Sequence, residues 1–200
     1  KILDAAVERF AENGYGETGL ADVLQRAAVS KGAFYYHFDS KESVAAAIIQ
    51  DFDQQVTEAV NGTFDPAAPR LESIISTTFT IQHLMRSDTS IRIGHQLTQA
   101  LQQVSSAGRQ IYTGWTGKFA DMVVSAIQAG ELRGDVDPVD ASEAIWAAVL
   151  GSHLVSAALQ DDPYVRLARC WRVLLRAVLP QESWPHFDQV LDDEVRKQAV

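Results

Sequence analysis

Residues 18–41 read TGLADVLQRAAVSKGAFYYHFDSK, and this stretch decides the fold. Leu20, Val23, Leu24 and Ala27 recur at helical spacing, so the first part is a short helix with one apolar face that must pack on something. Thr18 stands where an N-cap is needed. The chain then turns through Ala28 and Val29, and Ser30 caps a second helix whose Phe34 and Phe38, one turn apart, point back into the same small core. Lys31, Gly32, Ala33, Tyr35, Tyr36 and His37 face outward, and Lys41 opens the next element. Two short helices across a tight turn, the second carrying such a face, spell a helix-turn-helix.

Glycine and alanine at a helix N-terminus permit close approach to a base pair, a lysine can donate to guanine, and hydroxyls, imidazole and ammonium groups can hold phosphate. The candidate DNA contacts are therefore Thr18, Ser30, Lys31, Gly32, Ala33, Tyr35, Tyr36, His37 and Lys41. Each aromatic alone could simply cover a three-helix core. The whole set at this spacing favours a nucleic-acid face.

Downstream, the periodicity predicts a connector helix over 42–61, with Val44, Ile48, Phe52 and Val56 along one side, broken by Gly62 to Pro69. Further helices are expected at 70–86, 89–104, 110–129, 139–160 and 164–179, with a last amphipathic one at 184–195. The fold class is all α, with a DNA-binding domain over 1–45 and a helical ligand-binding and dimerisation domain over 46–200. Ala144, Ala148, Gly151 and Val155 form a small-residue stripe on one helix, and Leu167, Trp171, Leu174 and Val178 a bulkier one on the next. These stripes serve either the chain's own core or a homodimer interface.

Along 70–86 the apolar face of Leu71, Ile74, Ile75, Thr78 and Phe79 runs into Gln82 and His83. Those two lie either near solvent at the helix end or inside a pocket, where they would offer hydrogen bonds. Ile111, Trp115, Phe119 and Met122 share a face of the helix over 110–129, and Trp115 offers a flat apolar wall with one N–H donor. Phe79, Gln82, His83, Trp115, Phe119, Trp146 and His153 are the candidate effector contacts.

The block from Thr18 to Lys41, with the preceding Ile2–Asn13 helix and the link Gly14 to Thr18, resembles the TetR family of bacterial transcriptional repressors. Gly130 to Pro138 is similar to the turn before that family's dimerisation helix. One departure is Ala28, where the family usually has a glycine able to adopt φ > 0. The resemblance implies dimerisation through the last two major helices, so that two recognition helices meet successive major grooves of a near-palindromic operator. Ile91-Arg92-Ile93-Gly94, Trp115 and Val149-Leu150-Gly151 resemble the γ-butyrolactone receptor subgroup, which implies a butyrolactone, butenolide or furan-type effector touching Trp115. A drug- or metabolite-responsive regulator, or a helical adaptor that no longer binds DNA, is the alternative.

Net charge is −9 over 200 residues, and acids slightly outnumber bases even in the first fifty. Average charge thus runs against DNA binding, while Lys31 and Lys41 lie where phosphate would be. The chain opens at Lys1 without Met, and a basic arm preceding it would add affinity. No apolar run is expected to approach membrane length, and the expected location is the bacterial cytoplasm, on the nucleoid when DNA is bound. The single Cys170 reads as a small core residue, and G-x-S-x-G, H-E-x-x-H and paired cysteines do not occur. The expectation is a regulator with no catalytic residues, metal or cofactor. Its partners are double-stranded operator DNA, a small-molecule effector and a second copy of the chain.

Overall fold

The computed structural model describes residues 1–63, 69–101 and 106–198. Its helices are α1 (Ile2–Asn13), α2 (Leu20–Ala27), α3 (Lys31–Tyr35), α4 (Lys41–Thr63), α5 (Arg70–Ser87), α6 (Thr89–Leu101), α7 (Ser106–Gln128), α8 (Pro138–Leu159), α9 (Pro163–Val178) and α10 (Trp184–Lys197). The fold is all α, and no strand occurs among the described residues. The end expected for α6, 102–104, and the middle of the expected break at 62–69 lie outside those residues.

Two compact units form. The first comprises Lys1–Glu58 and Leu84–Ile111, the second Ala59–His83 and Tyr112–Val200. In the first, Ala6 and Phe10 of α1, Val23 and Leu24 of α2, Phe34 of α3, and Val44, Ile48 and Ile49 of α4 share one core with Ile93 and Leu97 of α6. The α4–α6 approach depends on Gly94, because a Cβ there would lie 2.3 Å from Cβ of Phe52 and 3.4 Å from the Ile48 carbonyl oxygen. Ala28 takes the left-handed conformation expected of the turn, φ 50° and ψ 51°. An L-residue in that region costs about 1–2 kcal/mol, so the departure from glycine carries real strain.

In the second unit, Leu71, Ile74, Ile75 and Phe79 of α5 are buried, as are Trp115 and Phe119 of α7, Ile145 and Val149 of α8, and Leu167, Trp171 and Leu175 of α9. All four tryptophans of the chain lie here. Asp-Pro pairs start both α8 and α9. The Asp137 carboxylate accepts from the N–H groups of Val139 and Asp140 at 2.8 and 3.0 Å, and Asp162 accepts from Tyr164 and Val165 at 2.8 and 3.3 Å. α10 buries Phe187 and Leu191 and is tied to α9 by Arg172, which meets Asp188 at 3.3 Å and Asp192 at 2.6 Å.

The expectation that no apolar run reaches membrane length is corrected by α8, which is 22 residues long with a mean hydropathy of 1.3 over its most apolar window. Its alanines, valines and leucines serve two faces at once. One is turned into the unit through Ile145, Trp146 and Val149, and the other is exposed at Leu154 and Leu159.

Candidate DNA-reading face and effector cluster

The Ser30 hydroxyl oxygen accepts from the Ala33 N–H at 3.1 Å and so fixes where α3 begins. Phe34 is fully buried, its ring 5.9 Å from that of Phe38, and this pair anchors the short helix from below. Ser30, Lys31, Gly32, Ala33, Tyr35, Tyr36 and His37 are all exposed. Tyr36 is 84% exposed, with the His37 ring edge-on to it at 4.9 Å. Seven of the nine expected DNA contacts therefore lie together on one face of the first unit.

Thr18 and Lys41 do not. Thr18 is buried, and its hydroxyl lies 2.8 Å from the Gly14 carbonyl oxygen and 3.1 Å from that of Arg9. With that hydroxyl spent backwards, the N-cap of α2 is Gly19, whose N–H donates to the Asp22 carboxylate at 2.8 Å. The Lys41 ammonium donates to the carbonyl oxygens of Tyr15 at 2.9 Å and Thr18 at 3.0 Å, and it lies 4.3 Å above the Tyr15 ring. Both side chains turn inward to the corner between α1 and α2. Burial, and then the charge of Glu42, push the Tyr15 phenol above its ordinary pKa.

In the second unit the Trp115 and Trp146 rings stack in parallel, centroids 5.8 Å apart, and Phe119 lies 5.9 Å from Trp146. The Lys118 ammonium sits 4.3 Å over Trp115. Gln82 is fully buried, with its amide nitrogen 3.2 Å from Nδ1 of His153. Two buried polar atoms here, Oε1 of Gln82 and Nε1 of Trp146, have no hydrogen-bond partner among the described residues. Buried polar groups are ordinarily satisfied by protein, water or ligand. Phe79 is fully buried in the same unit. His83 is a correction: it is exposed, with its ring against Tyr164 and Nδ1 3.2 Å from the tyrosine hydroxyl. One helical step separates the two alternatives left open by the sequence, since Gln82 goes inside and His83 outside. A broader open groove of about 760 Å³, lined by Arg70, Glu131, Arg133 and His186 among others, includes none of the expected effector contacts.

The expected dimer stripes divide. Ala144, Ala148 and Gly151 are half-buried and Val155 is exposed. Leu167 and Trp171 are corrected to core: they are 0% and 2% exposed within their own chain, and the Trp171 indole N–H donates to the Thr78 hydroxyl at 2.8 Å. Leu174 and Val178 are half-buried and line a small apolar cleft of about 40 Å³ with Ile74 and Ile145. On these two helices the large apolar side chains that face outward are Val139, Leu154, Val155 and Leu159 of α8 and Val173 of α9. Leu159 lies one turn beyond Val155 and continues the expected stripe of α8, whereas Leu154 and Val173 each lie one residue aside from the expected stripes.

Residues 2–48 match the family described as bacterial regulatory proteins, tetR family, and residues 94–171 match the tetracyclin repressor-like C-terminal domain. The A-factor receptor protein of Streptomyces griseus is 30% identical over 179 residues, which are 88% of this chain and 62% of the relative. The chain thus spans under two thirds of that relative's length. Full-length TylP, a TetR regulator from Streptomyces fradiae, is 26% identical with a TM-score of 0.68, covering 97% of this chain and 96% of that one. A gamma-butyrolactone receptor described as ArpA-like shares the fold with a TM-score of 0.80 at 22% identity, over 98% and 95% of the two chains. With both halves of the regulator matched in order, the chain belongs to the TetR family.

Proposed function

We propose that this protein is a transcriptional repressor that binds a near-palindromic operator as a dimer and is released by a small hydrophobic effector. The exposed set on α3 and the turn after it, held over the buried Phe34, carries the reading: Lys31, Gly32, Ala33, Tyr35, Tyr36 and His37 present donors and a close-approaching backbone without one apolar core residue among them. In this reading residues 1–45 are the reading domain and 46–200 hold effector and partner. The second copy meets the outward apolar residues of α8 and α9, namely Leu154, Val155, Leu159 and Val173, with Ala144, Ala148 and Gly151 allowing close helix approach. It works in the cytoplasm, on the nucleoid when DNA is bound.

The effector belongs among the tryptophans. Trp115, Phe119 and Trp146 supply flat apolar walls, while the unpaired Gln82 oxygen and Trp146 N–H supply one acceptor and one donor. A lactone-type ring bearing a carbonyl and a hydroxyl matches that pair, and the likeness to the A-factor receptor protein supports a γ-butyrolactone, butenolide or furan-type signal. Release follows from linkage, because an effector preferring a second arrangement of the dimer weakens DNA binding by its differential affinity, typically about 1–3 kcal/mol.

A gel-shift titration on the DNA upstream of the protein's own gene tests both halves. Lys31→Ala should lose about 1–3 kcal/mol of operator binding, with fold and effector response intact. Trp115→Ala should bind operator normally and fail to release it. Equal retardation by wild type and Lys31→Ala would sink the reading face, and normal release of Trp115→Ala would sink the effector site.

A further inference from the structure

We propose that His153 is a positioning residue of the effector site, which aims the Gln82 amide so that the ligand must bring a hydroxyl, and not a carbonyl, to that end of it. This rests on the effector reading above and adds which polar group goes where. Gln82 is fully buried, and its amide nitrogen lies 3.2 Å from Nδ1 of His153. An amide nitrogen only donates, so Nδ1 is the accepting lone pair and the imidazole proton sits on Nε2. With its nitrogen held in this way, the amide turns its oxygen to the other side. That oxygen, Oε1, is buried with no hydrogen-bond partner among the described residues.

An amide oxygen only accepts. A group that meets it must carry a hydrogen, as a hydroxyl does, whereas a ketone there sets oxygen against oxygen. The opposite polarity is found at Trp146, whose buried Nε1 also lacks a partner among the described residues and only donates. Trp146 and His153 both belong to α8 and lie two turns apart on one side of it, about 10 Å along the axis. The effector therefore lies with a carbonyl toward Trp146 and a hydroxyl toward Gln82. Turning the Gln82 amide over would exchange acceptor for donor, and the His153 lone pair opposes that exchange. A side chain behind the contact atom thus decides what the contact accepts.

Two probes isolate the one oxygen at stake: a γ-butyrolactone with a secondary alcohol on its side chain, and the ketone made from it by oxidation. Each is titrated calorimetrically into the full chain, without DNA. The wild type should bind the alcohol about tenfold more tightly or better, because the ketone leaves a buried acceptor unmet. Gln82→Met should bind the two alike. His153→Phe keeps a ring but no acceptor, so the amide can present either end and the preference should disappear. His153→Lys offers donors only, so the amide should turn its oxygen to the lysine and its nitrogen to the effector, and the preference should invert. A residue that merely supported the fold would weaken both probes together and leave their ratio unchanged. Near-ultraviolet circular dichroism reports folding, and His153→Phe carries the test if the lysine variant does not fold.

Equal affinity of the wild type for the two probes, or a preference for the ketone, with both lost in Trp115→Ala, would overturn this inference and leave the effector reading standing. An undiminished preference for the alcohol in a folded His153→Phe or His153→Lys would overturn it by showing that the direction of the amide does not come from His153. If the wild type binds neither probe, the effector reading fails first and this inference falls with it.

Discussion

Gly94→Ala should destabilise the protein by about 2 kcal/mol, although alanine is the better helix former. Glycine within a helix costs about 1 kcal/mol relative to alanine, so at an open helical site the substitution would stabilise. At residue 94 the new Cβ would sit 2.3 Å from Cβ and 2.9 Å from Cγ of Phe52. The obstructing atoms are at the root of the phenylalanine, next to the α4 backbone, and a rotamer change cannot remove them. The helices must part, and overpacking of this kind costs about 1–3 kcal/mol, with a clash this short toward the upper end. Subtracting the helix-propensity gain leaves the figure given. Urea unfolding checks it, with Gly117→Ala as the control, because nothing lies within 4 Å of a Cβ at that position. A Gly94→Ala protein as stable as wild type would mean that α4 and α6 do not approach as described. Since α4 begins with Lys41, a variant that folds but carries a displaced α4 should also bind operator less well.

Trp171→Ala should cost about 3–5 kcal/mol, as for other buried aromatic truncations. The side chain is 2% exposed, and its indole N–H donates to Thr78, whose hydroxyl in turn donates to the Ile75 carbonyl oxygen at 2.7 Å. Truncation removes the apolar volume and strips the Thr78 oxygen of its donor in one step. The protein concentration dependence of the melt separates this from an interface role. A core residue lowers the melting temperature equally at every concentration, whereas an interface residue weakens association and its effect grows on dilution. If Trp171→Ala melts like wild type at high concentration, Trp171 belongs to the contact between two copies.

Trp171 also shows where the sequence stops being readable. Leu167, Trp171, Leu174 and Val178 do recur at helical spacing, but spacing reports only that a face is apolar, not whose apolar surface covers it. Here α9 turns that stripe into its own unit and leaves Val173 outside. The helix-turn-helix was legible in far more detail. Its helices, the Ser30 cap and the buried Phe34 each have a strong local signature, and local chemistry decides them.

Thr18 and Lys41 escaped for the opposite reason. Threonine before a helix normally caps it, and lysine beside a DNA-reading helix normally meets phosphate. In the structure both side chains meet carbonyl groups of the corner between α1 and α2, and the Lys41 partners lie 26 and 23 positions earlier in the chain. Gln82 and His83 were a coin-toss in the sequence because helical periodicity blurs at a helix end. The Tyr164 hydroxyl and the His153 ring, both distant in sequence, decide which one is buried.

The placement of all four tryptophans in the second unit has a practical corollary. Excited at the red edge of indole absorption, the protein emits from one half only, and the reading head is spectroscopically dark. Trp115 and Trp146, stacked in parallel, form a coupled chromophore pair whose near-ultraviolet circular dichroism would change as soon as a small molecule slid between or beside the rings. Effector occupancy and DNA occupancy can therefore be followed in one cuvette by independent signals, indole emission for the first and the anisotropy of a labelled duplex for the second. The order in which they change during release becomes a stopped-flow measurement on the unmodified protein.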